Sequence, residues 1–202
     1  MFAFYLDPKV LIAITAIVVG IGAFIPYFSD IFKKKTTPHA YTWLIWLITQ
    51  GTATAGIIYG NGGLIGYGLI LGTGLVFLIF LLSLKYGTKN ITLSDILILC
   101  LALIAIVVWW QLHNPVLAVF MVGAIDAMGY IPTYRKLYIE PWSESLGSWF
   151  LFSISYILSI ASLREYNLLT VPYLSICLTA NLLLVTICIV RRRSIPKPAT
   201  HF

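Results

Sequence analysis

IDAMGYIPTYRKLYIEPWSESLGSW, residues 125–149, is the stretch whose reading decides the fold. It sets an acidic residue, Asp126, inside an apolar run, follows it six residues later with Pro132, and leads through a basic and acidic loop to Trp149 at the opening of the next apolar run. The same design occurs a second time. Residues 20–43, GIGAFIPYFSDIFKKKTTPHAYTW, align without a gap on residues 126–149 at an offset of 106, so that Pro26 falls on Pro132 and Trp43 on Trp149. The register runs through residues 8–84 and 114–190, with further identities at Ile25/Ile131, Asn61/Asn167 and Tyr67/Tyr173. Matches at Pro, Trp, Asn and Tyr carry the weight, because aliphatic coincidences are common in so apolar a chain. A duplicated unit is therefore expected.

With 60% hydrophobic and 10% charged residues over 202 positions, the chain has too little polar surface to cover a water-soluble globule. It reads as an all-α integral membrane protein. Seven apolar runs approach the length needed to cross a bilayer as helices, near residues 10–28, 40–60, 64–84, 96–112, 115–132, 146–163 and 168–190. None shows the two-residue alternation of a barrel strand, so every backbone group must be satisfied within its own helix. The first run lacks a basic leader region and a small-residue cleavage pattern, and is expected to be a retained helix.

The net charge of +6 is sorted by side rather than gathered in a nucleic-acid patch. Lys33, Lys34, Lys35, Lys85, Lys89, Arg135, Lys136, Arg191, Arg192, Arg193 and Lys197 fall on one side of the seven runs, and only Lys9 and Arg164 on the other. Basic residues are retained on the cytoplasmic side, so the N-terminus is expected outside and the C-terminus in the cytoplasm. That arrangement needs an odd number of spans. The expected organisation is a first three-helix repeat over 1–84, a linker helix over 85–113, a second three-helix repeat over 114–190 and a basic tail over 191–202. Because the linker helix inverts the chain, the two repeats enter the membrane in the same direction, giving a parallel 3+1+3 arrangement.

Local signals agree with these boundaries. Thr37-Pro38 and Ser143-Glu144 are expected helix starts, Thr92-Leu93-Ser94-Asp95 has the form of a capping box, and Trp109 and Trp110 suit an interfacial belt. Gly66, Gly68, Gly72 and Gly74 would let neighbouring helices approach the third run closely.

Two parallel three-helix units joined by one helix, each with a proline near the cytoplasmic end of its first helix, resemble the SWEET and PQ-loop superfamily of small transporters and cargo receptors. The chain departs from that superfamily's motif in carrying Pro26-Tyr27 and Pro132-Thr133 where Pro-Gln is expected, with Asn181 as the one counterpart of its third-helix asparagine. KTTPHAYTWLIW (35–46) and DAMGYIPTYRKLYIEPWSES (126–145) are more closely similar to an uncharacterised family of bacterial seven-helix proteins with the motifs T-x-P-H-x-x-[ST]-W-x-x-W and D-x-x-G-[FY]-x-P-T-x-R-K-x-x-x-x-P-x-x-E. The resemblance implies a bacterial cytoplasmic membrane, a substrate site between the repeats and Pro26 and Pro132 as hinges, while the residues themselves suit a simple helix end before a loop equally well.

The residues themselves point to the same region. An acid at bilayer depth is costly unless it meets a partner or a cavity, so Asp126 is the first functional candidate, with Gly20 at the equivalent place in the other copy. A structural hydrogen bond to a neighbouring helix, for instance to a Tyr or Ser, is the alternative role. Tyr130 and Thr133 share its helical face. His39, Trp43, Trp46, Gln50 and Thr54 form one stripe, and Ser145, Trp149, Phe152 and Tyr156 its counterpart, the mix of aromatic walls and sparse polar groups that lines small-molecule pockets. Trp43 and Trp149 would also serve as plain interfacial anchors. Asp30 is expected to pair with Arg135 or Lys136, and Glu140 or Glu144 with Lys33–Lys35, as a cytoplasmic gate.

No metal cluster, cofactor or enzymatic nucleophile is expected: His39, His113 and His201 are scattered, Cys100, Cys177 and Cys188 read as packing residues, and no lysine lies within the last run to hold a retinal. The expected partners are a small-molecule substrate and the lipid bilayer, with self-association into a homo-oligomer left open and no nucleic acid. The functional expectation is alternating-access transport of a small neutral or cationic metabolite, with Asp126 as proton site or counter-charge. The alternative is a non-transporting receptor on the same scaffold, in which the loop from Arg135 to Glu144 binds the partner.

Overall fold

A computed structural model describes residues 7–59, 63–111, 115–163, 165–168 and 170–197, leaving aside the side chains of 52–59, 63–69, 102, 105, 106, 108–110, 115 and 118 within the helices. Expectations placed on Thr54, Asn61, Gly66, Tyr67, Gly68, Trp109, Trp110, His113, Arg164 and His201 lie outside the described residues. Among the described residues every regular element is a helix: α1 (Pro8–Gly22), α2 (Phe24–Phe32), α3 (Ala40–Tyr59), α4 (Gly63–Tyr86), α5 (Leu93–Gln111), α6 (Pro115–Ile139), α7 (Leu146–Ser162) and α8 (Val171–Ser194). Among the described residues two stretches, Pro8–Phe32 and Val171–Ser194, are long and apolar enough to cross a membrane by length and composition, with mean hydropathies of 2.4 and 2.3. Large apolar side chains such as Ile17, Val18, Leu97, Ile104 and Val190 face outward from α1, α5 and α8.

The first rod, Pro8–Phe32, is interrupted only at Ala23, three residues before Pro26, where the backbone stays helical at φ −63° and ψ −23°. Pro26 has no N–H to offer the Gly22 carbonyl and its ring crowds that oxygen, so the interruption appears one turn upstream of the proline itself. Pro132 sits inside the uninterrupted α6 instead. The two prolines, equivalent in sequence, therefore have unequal effects. α2 ends where Lys34, at φ 56°, turns the chain so that the Lys35 and Thr36 amides return to the Asp30 carbonyl at 2.8 and 3.1 Å.

The expected helix starts need correction. α3 begins at Ala40 and α7 at Leu146 with Ser145 in the capping position, two or three residues beyond Thr37 and Ser143. Those two backbones are held in the loop: the Thr37 N–H donates to the Ser143 carbonyl at 2.9 Å. The pair is related by the offset of 106, so equivalent positions of the two copies meet here. The start of α5 matches its expectation, with the Thr92 amide donating to Asp95 Oδ2 at 2.8 Å. Just before it Gly87 passes so close to the Ser83 and Pro38 carbonyls that a Cβ would lie 2.1 and 2.5 Å from them.

α1 packs along α7, α3 along α4 and α6, α8 against both α6 and α7, and α5 against α6. With α1, α3 and α4 taken as counterparts of α6, α7 and α8, the α1–α7 contact mirrors the α6–α3 contact, and α3–α4 mirrors α7–α8. The aromatic core repeats at the same spacing. Phe24 meets Phe152 at 5.0 Å and its offset mate Tyr130 meets Trp46 at 4.6 Å. Phe24–Trp43 at 6.5 Å mirrors Tyr130–Trp149 at 6.1 Å, and Trp43–Trp46 at 5.1 Å mirrors Trp149–Phe152 at 5.7 Å. Trp43 and Trp149, mates of one another, face across 6.3 Å.

Candidate functional site

These rings surround a cavity between the two sets of helices. Trp43, Trp46 and Gln50 reach it from α3, Asp126 and Tyr130 from α6, and Trp149, Phe152 and Tyr156 from α7; Phe24, Val76 and Cys177 complete the wall. It offers about 50 Å³ to the centres of water molecules, room for a few waters or a ligand of a few heavy atoms. Trp43 and Trp149 are each 2% exposed, which makes them core walls rather than interfacial anchors.

Asp126 is 5% exposed and its two oxygens are unequal. Oδ2 accepts from the Tyr173 hydroxyl at 2.6 Å and lies 4.0 Å from the Cys177 thiol. Oδ1 has no hydrogen-bond partner among the described residues. The Thr49 hydroxyl, which donates to the Trp46 carbonyl at 3.2 Å, stands beside the carboxyl group. At the equivalent place in the first copy a Cβ on Gly20 would come 2.7 Å from Ser155 Oγ, so that position has no room for a second acid without movement. Ser155 and Thr49 are themselves offset mates, and the contact therefore repeats with only one side carrying charge.

Asn181 is drawn away from the cavity. Its amide donates to the Trp149 carbonyl at 2.8 Å and Ser153 Oγ at 2.6 Å, pinning α8 to α7 behind the Trp149 ring. It supports the wall without lining it. Phe24 and Cys177 are cavity contacts that the sequence reading missed as such, while the Tyr173 hydroxyl on α8 supplies the hydrogen bond between helices expected as the alternative role of Asp126. Phe24 is the offset mate of Tyr130 and was legible in principle, whereas nothing local marks Cys177 as a neighbour of an acid.

The expected gate is built from different pairs. Asp30 accepts from Ser145 Oγ at 2.5 Å, contacting neither Arg135 nor Lys136. Arg135 pairs with Asp95 at 2.6 Å, because the capping acid at the start of α5 faces that side of α6, and it also donates to the Asn90 carbonyl at 2.8 Å. Lys136, 2% exposed, forms an ion pair with Glu144 and donates to the Thr37 carbonyl, so Glu144 is unavailable to the Lys33–Lys35 run. Glu144 also accepts from the Tyr27 hydroxyl at 2.9 Å and from Trp149 Nε1 at 3.0 Å. A buried carboxylate bonded to Tyr27, Lys136 and Trp149 thus lies behind the Trp149 wall, on the side of the basic loops.

His39, fully buried, lies with Nε2 3.5 Å from Asp95 Oδ2, and burial pulls its pKa down to about 4. Its ordinary value is near 6.5. Between those values the unfolded chain binds a proton that the folded one refuses, so stability is fully present above about pH 6.5 and is lost as the pH falls toward 4. A loss on the order of 2–3 kcal/mol is expected across that window. Thermal melts in detergent should show it, and His39→Gln should flatten the slope; an unchanged slope would remove His39 as its source.

No protein-family model, curated protein or solved structure matches this chain.

Proposed function

We propose that the chain is a SWEET-like or PQ-loop-like transporter of the bacterial cytoplasmic membrane. α1 with α2, then α3 and α4, form the first three-span repeat, α5 the inverting linker, and α6, α7 and α8 the second repeat. The N-terminus lies outside and the C-terminal tail in the cytoplasm. Several features support this reading. The outward-facing apolar side chains suit a lipid setting. Lys9, tied to the Leu163 carbonyl, marks one end of the molecule, while the Lys136–Glu144 network and the basic loops share the other.

The observation that carries the proposal is the cavity itself. Offset-mated rings line it, a partly unpaired carboxylate faces it, and a buried ion pair bonded to one of those rings lies behind the wall on the basic-loop side. Alternating access would part the Lys136–Glu144 and Tyr27–Glu144 contacts as one repeat rocks against the other. The receptor alternative loses its readiest charged groups, because Arg135, Lys136 and Glu144 are already engaged within the chain.

The test is uptake into sealed proteoliposomes against a panel of small metabolites. Saturable uptake is expected for at least one, and Asp126→Asn should lower it at least tenfold. No saturable uptake or exchange for any panel member would count against transport. Uptake indifferent to the substitution would take Asp126 out of the mechanism.

A further inference from the structure

We propose that the cavity takes a small organic cation, of the alkylammonium or quaternary ammonium class, with Asp126 as its counter-charge and the surrounding rings as its walls. The inference deepens the transport reading and rests on the same cavity.

The argument begins with charge. Asp95 has Arg135 and Glu144 has Lys136, each at ion-pairing distance. Asp126 has no such partner among the described residues; its neighbours are the hydroxyls of Tyr173 and Thr49 and the thiol of Cys177. A buried carboxylate facing only neutral groups is costly, and the cost is relieved when a cation arrives. Oδ1, the oxygen without a hydrogen-bond partner, is the atom left to receive it.

The walls decide which kind of cation. Trp43, Trp46, Tyr130, Trp149, Phe152 and Tyr156 present tilted and edge-to-face rings around the space, such as Trp43 against Trp46 at 86° and Trp46 against Tyr130 at 64°. Ring faces attract alkylated ammonium groups, which shed water at little cost. A bare metal ion would need a shell of oxygen ligands, and this wall is mainly carbon. A polyol would need a hydrogen-bonding partner for every hydroxyl, where the polar groups on this mainly apolar wall are Gln50, Asp126, the Tyr130 and Tyr156 hydroxyls and the Trp43 indole N–H. The space of about 50 Å³ for water centres limits the charged group to a few heavy atoms.

The experiment compares tetramethylammonium with neopentyl alcohol, an uncharged, water-soluble molecule of similar size built on the same quaternary-carbon core, by calorimetry and tryptophan fluorescence on the purified full chain in detergent, at constant ionic strength in sodium chloride. Tetramethylammonium is expected to bind at least tenfold more tightly than the alcohol. Asp126→Asn should weaken the cation tenfold or more and leave the alcohol unchanged, the latter reporting an intact cavity. Equal affinities in the wild-type protein, which requires no variant, would overturn the proposal, as would cation binding that survives Asp126→Asn. The transport reading fails separately. Cation binding without uptake or exchange in proteoliposomes would sink transport alone, whereas saturable uptake of a neutral metabolite uncompeted by tetramethylammonium would sink the cation site alone.

Discussion

Glu144→Gln is expected to destabilise the protein by on the order of 3–5 kcal/mol. Glu144 and Lys136 are each 2% exposed, and the carboxylate gathers the Lys136 ammonium, the Tyr27 hydroxyl and the Trp149 indole N–H at one point. Replacing it with an amide leaves the ammonium with the Thr37 and Ser143 carbonyls but no anion. An amide also presents an N–H₂ where three donors converge, so one of them loses its acceptor. The partner of the charge matters more than the charge itself: Lys136→Met combined with Glu144→Gln should be milder than Glu144→Gln alone, because no isolated ion then remains buried. Thermal denaturation in detergent, run as a double-mutant cycle, measures both statements. A single-mutant effect of about 0–1 kcal/mol would assign the pair the weight of a surface salt bridge and remove it as a buried tie between the copies.

The way that pair escaped the sequence reading shows what patterning can and cannot specify. Helical segments and the aromatic stripe were legible because they depend on residue type repeated at fixed spacing, which the offset between Trp43 and Trp149 or Phe24 and Tyr130 preserves. Which acid meets which base depends on rotation and depth of each helix, and no spacing encodes those. Lys136 is the offset mate of Asp30, and the sequence reading placed them together. In the structure each instead reaches across to the loop before α7, Lys136 to Glu144 and Asp30 to Ser145. Asp95 was legible as a helix cap and illegible as the partner of Arg135, because that pairing joins α5 to α6 through tertiary packing. Asn181, singled out from the family resemblance, serves the same wall from behind.

The unequal support of equivalent rings gives a second large effect, since Trp46→Ala is expected to cost about 3–5 kcal/mol and Phe152→Ala, at the mated position, about 1–3 kcal/mol. Both rings pack against the other copy, Trp46 on Tyr130 and Phe152 on Phe24. Trp46 alone adds a polar tie, its Nε1 donating to the Asp126 carbonyl at 3.1 Å. It also fits flush against α6: a Cβ on Gly129 would stand 2.8 Å from Trp46 Nε1, whereas the mated position in the first copy carries Ala23. Phe152 is only half-buried, so less of its surface is returned to the surroundings on truncation. Removing Trp46 would join the space it vacates to the cavity and release the turn of α6 that holds Asp126, so loss of stability and loss of ligand affinity should fall together in this variant. Unfolding in detergent alongside titration with a cavity ligand separates the two positions. Equal costs at 46 and 152 would mean that the shared ring contacts dominate and that the indole tie to α6 adds nothing, and the acid-bearing copy would then hold its carboxylate by means other than Trp46.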